Sequence, residues 1–227
     1  MTAGDAAAIG VNVAAVRARI AAAAARSGRV AADVTLVAAT KTVDAARVAA
    51  SIDAGITDVG ENKAQELVAK APLVAAALDA AAGPAPTWHF LGALQRNKVR
   101  SVAPWVSCWQ SVDRLSLGSA IARHAPGATV YVEVNVGREE QKPGCPPEGA
   151  DELCRALGDL GLVVAGLMAV PPRDDDPRRW FTALRAMAGD LGLAGLSIGM
   201  TDDFEIAVEE GATVVRVGRA IFGDRPG

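Results

Sequence analysis

The sequence is poor in cysteine: Cys108, Cys145 and Cys154 are an odd number with no CxxC pair among 227 residues. That excludes a disulfide framework and a cysteine-built zinc site, leaving the thiols as small buried hydrophobes. Long apolar runs are also missing. The strongly apolar stretch from Leu160 to Val170 is interrupted by Gly161 and Gly166 and falls well short of the roughly 20 residues that a spanning helix needs. The start, MTAGDAAAIGVNV, has neither the positive flank nor the apolar segment of a signal peptide, so a cytoplasmic protein with no membrane partner is expected. Positive charge is not in excess: 23 Lys and Arg stand against 26 Asp and Glu, for a net charge of −3. That offers no footprint for nucleic acid, and a small ligand is the better expectation. No nucleophile elbow, P-loop or metal-ligand helix motif occurs.

What is abundant is alanine, which supplies much of the 51% hydrophobic content, as in Ala21 to Ala25. It favours helix without demanding lipid. Apolar Ile9, Val13, Val16 and Ile20 recur with helical spacing and predict an amphipathic N-terminal helix within residues 1–30. Strand and helix patterns then alternate over 31–223. Strands are expected at Val34–Ala39, Thr57–Val59, Trp88–Leu91, Trp105–Gln110, Thr129–Val136, Val163–Met168, Gly195–Ile198 and Thr213–Val217. Asn62 with Gln65 predicts a capping box, and Gly55 and Gly211 predict helix ends. Eight strand-helix units need parallel crossovers, and their closure gives a single TIM (β/α)8 barrel with an extra N-terminal helix over 1–227. A doubly wound open sheet is the alternative.

In such a barrel the loops after the strands share one face, so strand ends are where chemistry is sought. Only five lysines accompany eighteen arginines, and Lys41 alone directly follows an expected buried strand. A partly desolvated amine there would have a lowered pKa and would suit attack on an aldehyde; a rim lysine paired with a carboxylate is equally compatible. The turns Gly199-Met200-Thr201 and Gly218-Arg219-Ala220 follow strands seven and eight, where barrels often bind phosphate. Thr201 or Asp202, with Glu205, also reads as an ordinary helix cap. Arg216 shares parity with Gly218 and is expected inside the barrel, either paired with a carboxylate such as Glu133 or donating to a ligand. Glu61 reads as an acid or base or, better, as a charge favoured by the following helix. His89 lies within a strand and His124 ends a helix. The run Asp174 to Asp176 reads as a solvated loop neutralised by Arg173, Arg178 and Arg179, not a metal site.

A lysine for an aldehyde, a phosphate cradle and an arginine for a ring together describe pyridoxal 5′-phosphate. The ordered segments LVAATKT, DVGENKAQE, WHFLGALQRNKVR, QSVDR, VNVGREEQKPG, GLMAV and LSIGMTDDFEIAVEEGATVVRVGRAIFG resemble the pyridoxal phosphate homeostasis family, also called YggS or PROSC. The resemblance implies the type III pyridoxal-phosphate fold, like the N-terminal domain of alanine racemase. It implies that Lys41 holds the cofactor as a Schiff base and that Asn62 lines the pocket. Gly199, Met200 and Thr201 would meet the phosphate, Thr201 standing where the family commonly has serine. Gly218 and Arg219 match a VRIG-T segment in which arginine replaces threonine, so the backbone N–H is kept there while the side-chain hydroxyl is not. Arg216 matches the arginine of that segment, directed to the ring nitrogen or the phosphate. Alanine racemases take a catalytic tyrosine from a second domain. Only four residues follow Gly223, so that domain is expected to be missing, and the sole tyrosine, Tyr131, lies early in strand five. An arginine at the ring nitrogen would also weaken the ring as an electron sink. The expectation is a monomeric holder of pyridoxal phosphate in vitamin B6 balance, serving pyridoxal-phosphate-dependent apo-enzymes. A racemase of reduced architecture, a cofactor-free barrel aldolase and an interaction module are the alternatives.

Overall fold

The computed structural model describes residues 1–223. Helix α1 (Ala3–Arg26) starts at a reciprocal cap. The Asp5 N–H donates to Thr2 Oγ1 at 3.2 Å, and the Thr2 N–H donates to the Asp5 carboxylate at 2.8 Å. Ile9, Val13, Val16 and Ile20 form its buried face, as the period predicted. By length and mean hydropathy (1.4) this helix could cross a membrane, contrary to the expectation from apolar runs, because alanine raises its hydropathy without large side chains. Its apolar face instead packs on helices of the barrel. Arg19 and Arg26 on its polar side bond Glu205 (2.7 Å) and Glu209 (2.8 Å).

Eight strands follow: β1 (Thr35–Ala39), β2 (Asp58–Glu61), β3 (Thr87–Phe90), β4 (Val106–Val112), β5 (Thr129–Glu133), β6 (Val163–Met168), β7 (Gly195–Ser197) and β8 (Val214–Val217). Each is parallel to the next, and β8 pairs back to β1 with Arg216 opposite Val37. The closed barrel replaces the open sheet held as the alternative. Between the strands run α2 (Ala45–Asp53), α3 (Ala64–Ala80), α4 (Val99–Val102), α5 (Leu115–His124), α6 (Ala150–Asp159), α7 (Pro177–Asp190) and α8 (Phe204–Glu209), with α9 (Arg219–Phe222) after β8. Most of the apolar core fills the space between strands and helices, and alanines on α1 and α3 allow close approach there. A smaller interior layer of Val37, Leu91, Cys108, Tyr131, Met168 and Val214 plugs the barrel itself.

Three local expectations fail for physical reasons. Strand β5 stops at Glu133, not Val136, because the chain turns out of the barrel: the Cys145 N–H donates to Glu133 O (2.8 Å) and the Asn135 N–H to Cys145 O (2.9 Å). No capping box forms at Asn62. Helix α3 starts one residue later, after Lys63, which makes no side-chain cap. Nor do Thr201 or Asp202 cap α8 with Glu205. Asp203 stands at the cap position, its Oδ1 accepting from the Met200 N–H (2.6 Å), while Glu205 turns to Arg19. The acidic run before α7 is only partly solvent-directed. Asp176 caps the helix by accepting from the Arg178 N–H (3.0 Å), Asp175 pairs with Arg179, and Arg178 reaches Glu209 and Glu210 at 2.6 Å.

Candidate functional site

A cavity of about 710 Å³ opens at the C-terminal ends of the strands, the face where barrel chemistry is expected. Lys41, Asn62, Met200, Thr201, Arg216, Gly218 and Arg219 all line it. Gly199 lies just behind the wall, buried, and its carbonyl accepts the Arg216 N–H at 2.9 Å. Its φ of +89° favours glycine, and a Cβ there would come within 2.5 Å of Ala207 and 2.9 Å of the Phe204 backbone. The turn is thus pressed onto α8. The two turns touch, the Gly218 N–H donating to Thr201 Oγ1 at 3.4 Å. Arg219 is exposed and pairs with Asp202.

Lys41 is separated from β1 by Thr40 and is exposed, so the desolvated amine expected from strand position is not found. Its backbone neighbours are pinned from below. Thr40 is buried, and its Oγ1 donates to Glu61 Oε1 (2.9 Å) while its carbonyl accepts from Lys70 Nζ (2.7 Å). Lys70 also pairs with Glu61. On the other side the Thr42 N–H donates to Glu66 Oε2 at 3.0 Å. Glu61 is therefore the fully buried end of β2 in a three-residue network, and its reading as a helix-dipole charge is corrected. Lys70 was not foreseen; its only sequence signal was the scarcity of lysine. Asn62 is set by Gly92, where a Cβ would lie 2.3 Å from the Asn62 carbonyl oxygen.

Arg216 points into the barrel as its parity predicted, 5% exposed. It does not hydrogen-bond Glu133. Nη1 donates to the Ser197 carbonyl and Oγ, both at 2.6 Å, and Nη2 to the Ala169 carbonyl at 3.1 Å. Burial pulls its pKa down to about 10, with Glu133 and Asp203 opposing that through charge. Burial likewise lifts Glu133 to about 7, helped by the Asp113 charge and resisted by Arg216. Glu133 Oε2 has no hydrogen-bond partner among the described residues. Tyr131 sits in the interior layer at mid-strand and does not line the cavity. Cys108 and Cys145 are buried with thiols pushed up to about 12 by desolvation, and Cys154 to about 11. Among the described residues no group of three His, Cys, Asp or Glu could hold a metal.

Part of the wall was not expected from sequence. Arg47 on α2 and Arg173 after β6 also line the cavity, as do Leu91, Met168 and Val170. Among the described residues, four arginines and one lysine thus face a single carboxylate, Asp202. Such an excess of cations suits an anionic ligand, and the apolar residues suit a planar ring.

Fold and site define a (β/α)8 barrel with a cation-rich pocket and a lysine at its mouth. The chain matches the family described as alanine racemase, N-terminal domain, over residues 11–226. A pyridoxal phosphate homeostasis protein of Pseudomonas aeruginosa is 40% identical over 195 residues, 81% of each chain. That of Escherichia coli is 37% identical over 203 residues, 81% of this chain and 82% of its own. A solved structure from Bifidobacterium adolescentis has a TM-score of 0.89 at 38% identity, covering 98% of this chain and 97% of its own. PipY of Synechococcus elongatus, solved with pyridoxal phosphate bound, has a TM-score of 0.79 at 29% identity, covering 95% and 100%. The chain belongs to the alanine racemase N-terminal domain family and, within it, to the pyridoxal phosphate homeostasis proteins.

Proposed function

We propose that this protein binds pyridoxal 5′-phosphate in the mouth cavity through Lys41, holds it and releases it, without turning over a substrate of its own. The observation that carries the reading is the convergence of Lys41, Thr201, Arg216 and Gly218, from opposite ends of the chain, on one cavity. The donor set fits the group. The surplus of cations matches a dianionic phosphate, and the 3.4 Å contact between Gly218 and Thr201 is long enough to yield to a phosphate oxygen. The PipY structure with the cofactor bound and the names of the curated relatives support the same assignment.

Bound pyridoxal phosphate supplies an electrophilic aldehyde conjugated to an electron-withdrawing ring. Lys41 at the cavity mouth would supply the amine that holds that aldehyde. Thr201 Oγ1 and the backbone N–H groups of Thr201, Gly218 and Arg219 would hold the phosphate, since the Met200 N–H is already given to Asp203 and Gly199 lies behind the wall. Leu91, Met168 and Val170 would face the ring, and Asn62 would meet it from the side of β2. Arg216 places a fixed guanidinium against the ligand from within the barrel.

Racemisation requires acid–base groups on both faces of the substrate carbon. Among the described residues no tyrosine, histidine, cysteine or glutamate lines the cavity, and its one carboxylate is engaged with Arg219. That composition favours a holder that delivers cofactor to apo-enzymes over a racemase. The purified protein is expected to be yellow. Borohydride reduction should add cofactor mass to the peptide that contains Lys41, and label elsewhere, or none, refutes the reading. Solvent deuterium entering the α-position of an amino acid would favour the racemase instead.

A further inference from the structure

Five polar side chains form one hydrogen-bonded line through the barrel interior. Arg216 Nη1 donates to Ser197 Oγ (2.6 Å), and Ser197 Oγ donates to Gln110 Oε1 (2.5 Å). Gln110 Nε2 meets His89 Nδ1 at 2.7 Å, and His89 Nε2 meets Asp58 Oδ1 at 2.9 Å. Arg216, Ser197, Gln110 and His89 are all at most 5% exposed. The line starts on β8, beside the cavity, and ends at the first residue of β2, at the opposite end of the barrel. Its central bond joins β4 to β7, which are not sheet neighbours, so it crosses the interior.

The direction of every bond follows from its ends. A carboxylate can only accept, so His89 Nε2 carries the hydrogen given to Asp58, and Nδ1 is left to accept. The Gln110 amide must then present its NH2 to His89 and its oxygen to Ser197. Ser197 spends its single hydrogen on that oxygen, which leaves the Ser197 lone pairs for Arg216. All donors point from the cation to the anion, an arrangement in which each bond strengthens the next. Arg216 consequently commits three of its five N–H groups, two on Ser197 and one on Ala169, and has two left for the cavity.

We infer that Gln110 and His89, acting through Ser197, are positioning residues that fix which face of the Arg216 guanidinium is offered to the bound cofactor. This rests on the reading above, in which Arg216 meets pyridoxal phosphate. Without the Gln110 oxygen the Ser197 hydroxyl seeks another acceptor and its lone pairs turn from Arg216, which removes one of the three bonds that fix this long side chain.

The test titrates pyridoxal phosphate into wild type, Gln110→Met, Ser197→Ala, Gln110→Glu and Arg216→Met, reading affinity and the position of the bound-cofactor absorption band, with Tm measured alongside. Gln110→Met and Ser197→Ala are expected to weaken binding by about tenfold and to move the band, in the direction set by Arg216→Met. Gln110→Glu keeps an acceptor for Ser197 but loses the donor to His89 and buries a charge, so it is expected to weaken binding less than Gln110→Met does without matching wild type. If Gln110→Met and Ser197→Ala change Tm alone, the residues are merely structural and the inference is overturned while the function stands. Should Gln110→Met not fold, Ser197→Ala decides alone, since it deletes one oxygen. A wild type that forms no band, or an Arg216→Met variant that binds and absorbs as wild type does, removes the underlying reading and the inference with it.

Discussion

Replacing Glu133 with glutamine should remove a pH dependence from stability, leaving it unchanged in acid and raising it at higher pH. Glu133 ends β5 inside the barrel, 5% exposed, with Oε2 unpartnered among the described residues. Its pKa in the folded protein is about 7, against an ordinary value of 4.5. The folded state therefore holds this proton more tightly than the unfolded chain. Between those values folding takes up a proton, so stability is fully present below about pH 4.5 and is lost as pH rises through 7. A difference of that size corresponds to on the order of 3 kcal/mol when fully developed. Glutamine mimics the protonated carboxyl, so Glu133→Gln should match wild type near pH 5 and exceed it by up to about 3 kcal/mol near pH 8. Urea unfolding at pH 5, 6, 7 and 8, without ligand, measures the two curves. Curves that run parallel across this range would show that the buried carboxyl carries no such burden and would refute the argument.

Lys70→Met should strand Glu61 as a buried charge and cost about 3–5 kcal/mol, while Lys70→Met with Glu61→Leu recovers most of that. Urea denaturation at pH 7 compares them, and a single-variant cost under about 1 kcal/mol would mean that the pair is not electrostatically coupled. Cys108 and Cys145 should resist a thiol reagent at pH 8 in the folded protein and react at once in denaturant, as their raised pKa values and burial require. Rapid labelling of native Cys108 would contradict the packing of the interior layer.

The order of strands and helices was legible in the chain because each element carries its own period, its own β-branched or alanine-rich composition and its own terminating glycine. Ile9, Val13, Val16 and Ile20 announced α1; Gly55 and Gly211 announced helix ends. Eight such units then leave the closed barrel as the economical solution, and the rim position of Lys41, Thr201 and Gly218 follows from strand polarity alone. The interior place of Arg216 follows from its position two residues before Gly218, which directly follows β8.

Tertiary structure decided which groups meet. Glu61 looked like a helix-dipole charge until closure brought Lys70 and Thr40 onto it. Arg216, expected to meet either a carboxylate such as Glu133 or a ligand, hydrogen-bonds the carbonyls of Ala169 and Ser197. The line from Arg216 to Asp58 joins residues whose strands are far apart in sequence, and no local pattern encodes its central bond between Gln110 and Ser197. Periodicity reports the environment of one element at a time. Partners across a barrel are fixed by register, and register exists only once all eight strands have closed.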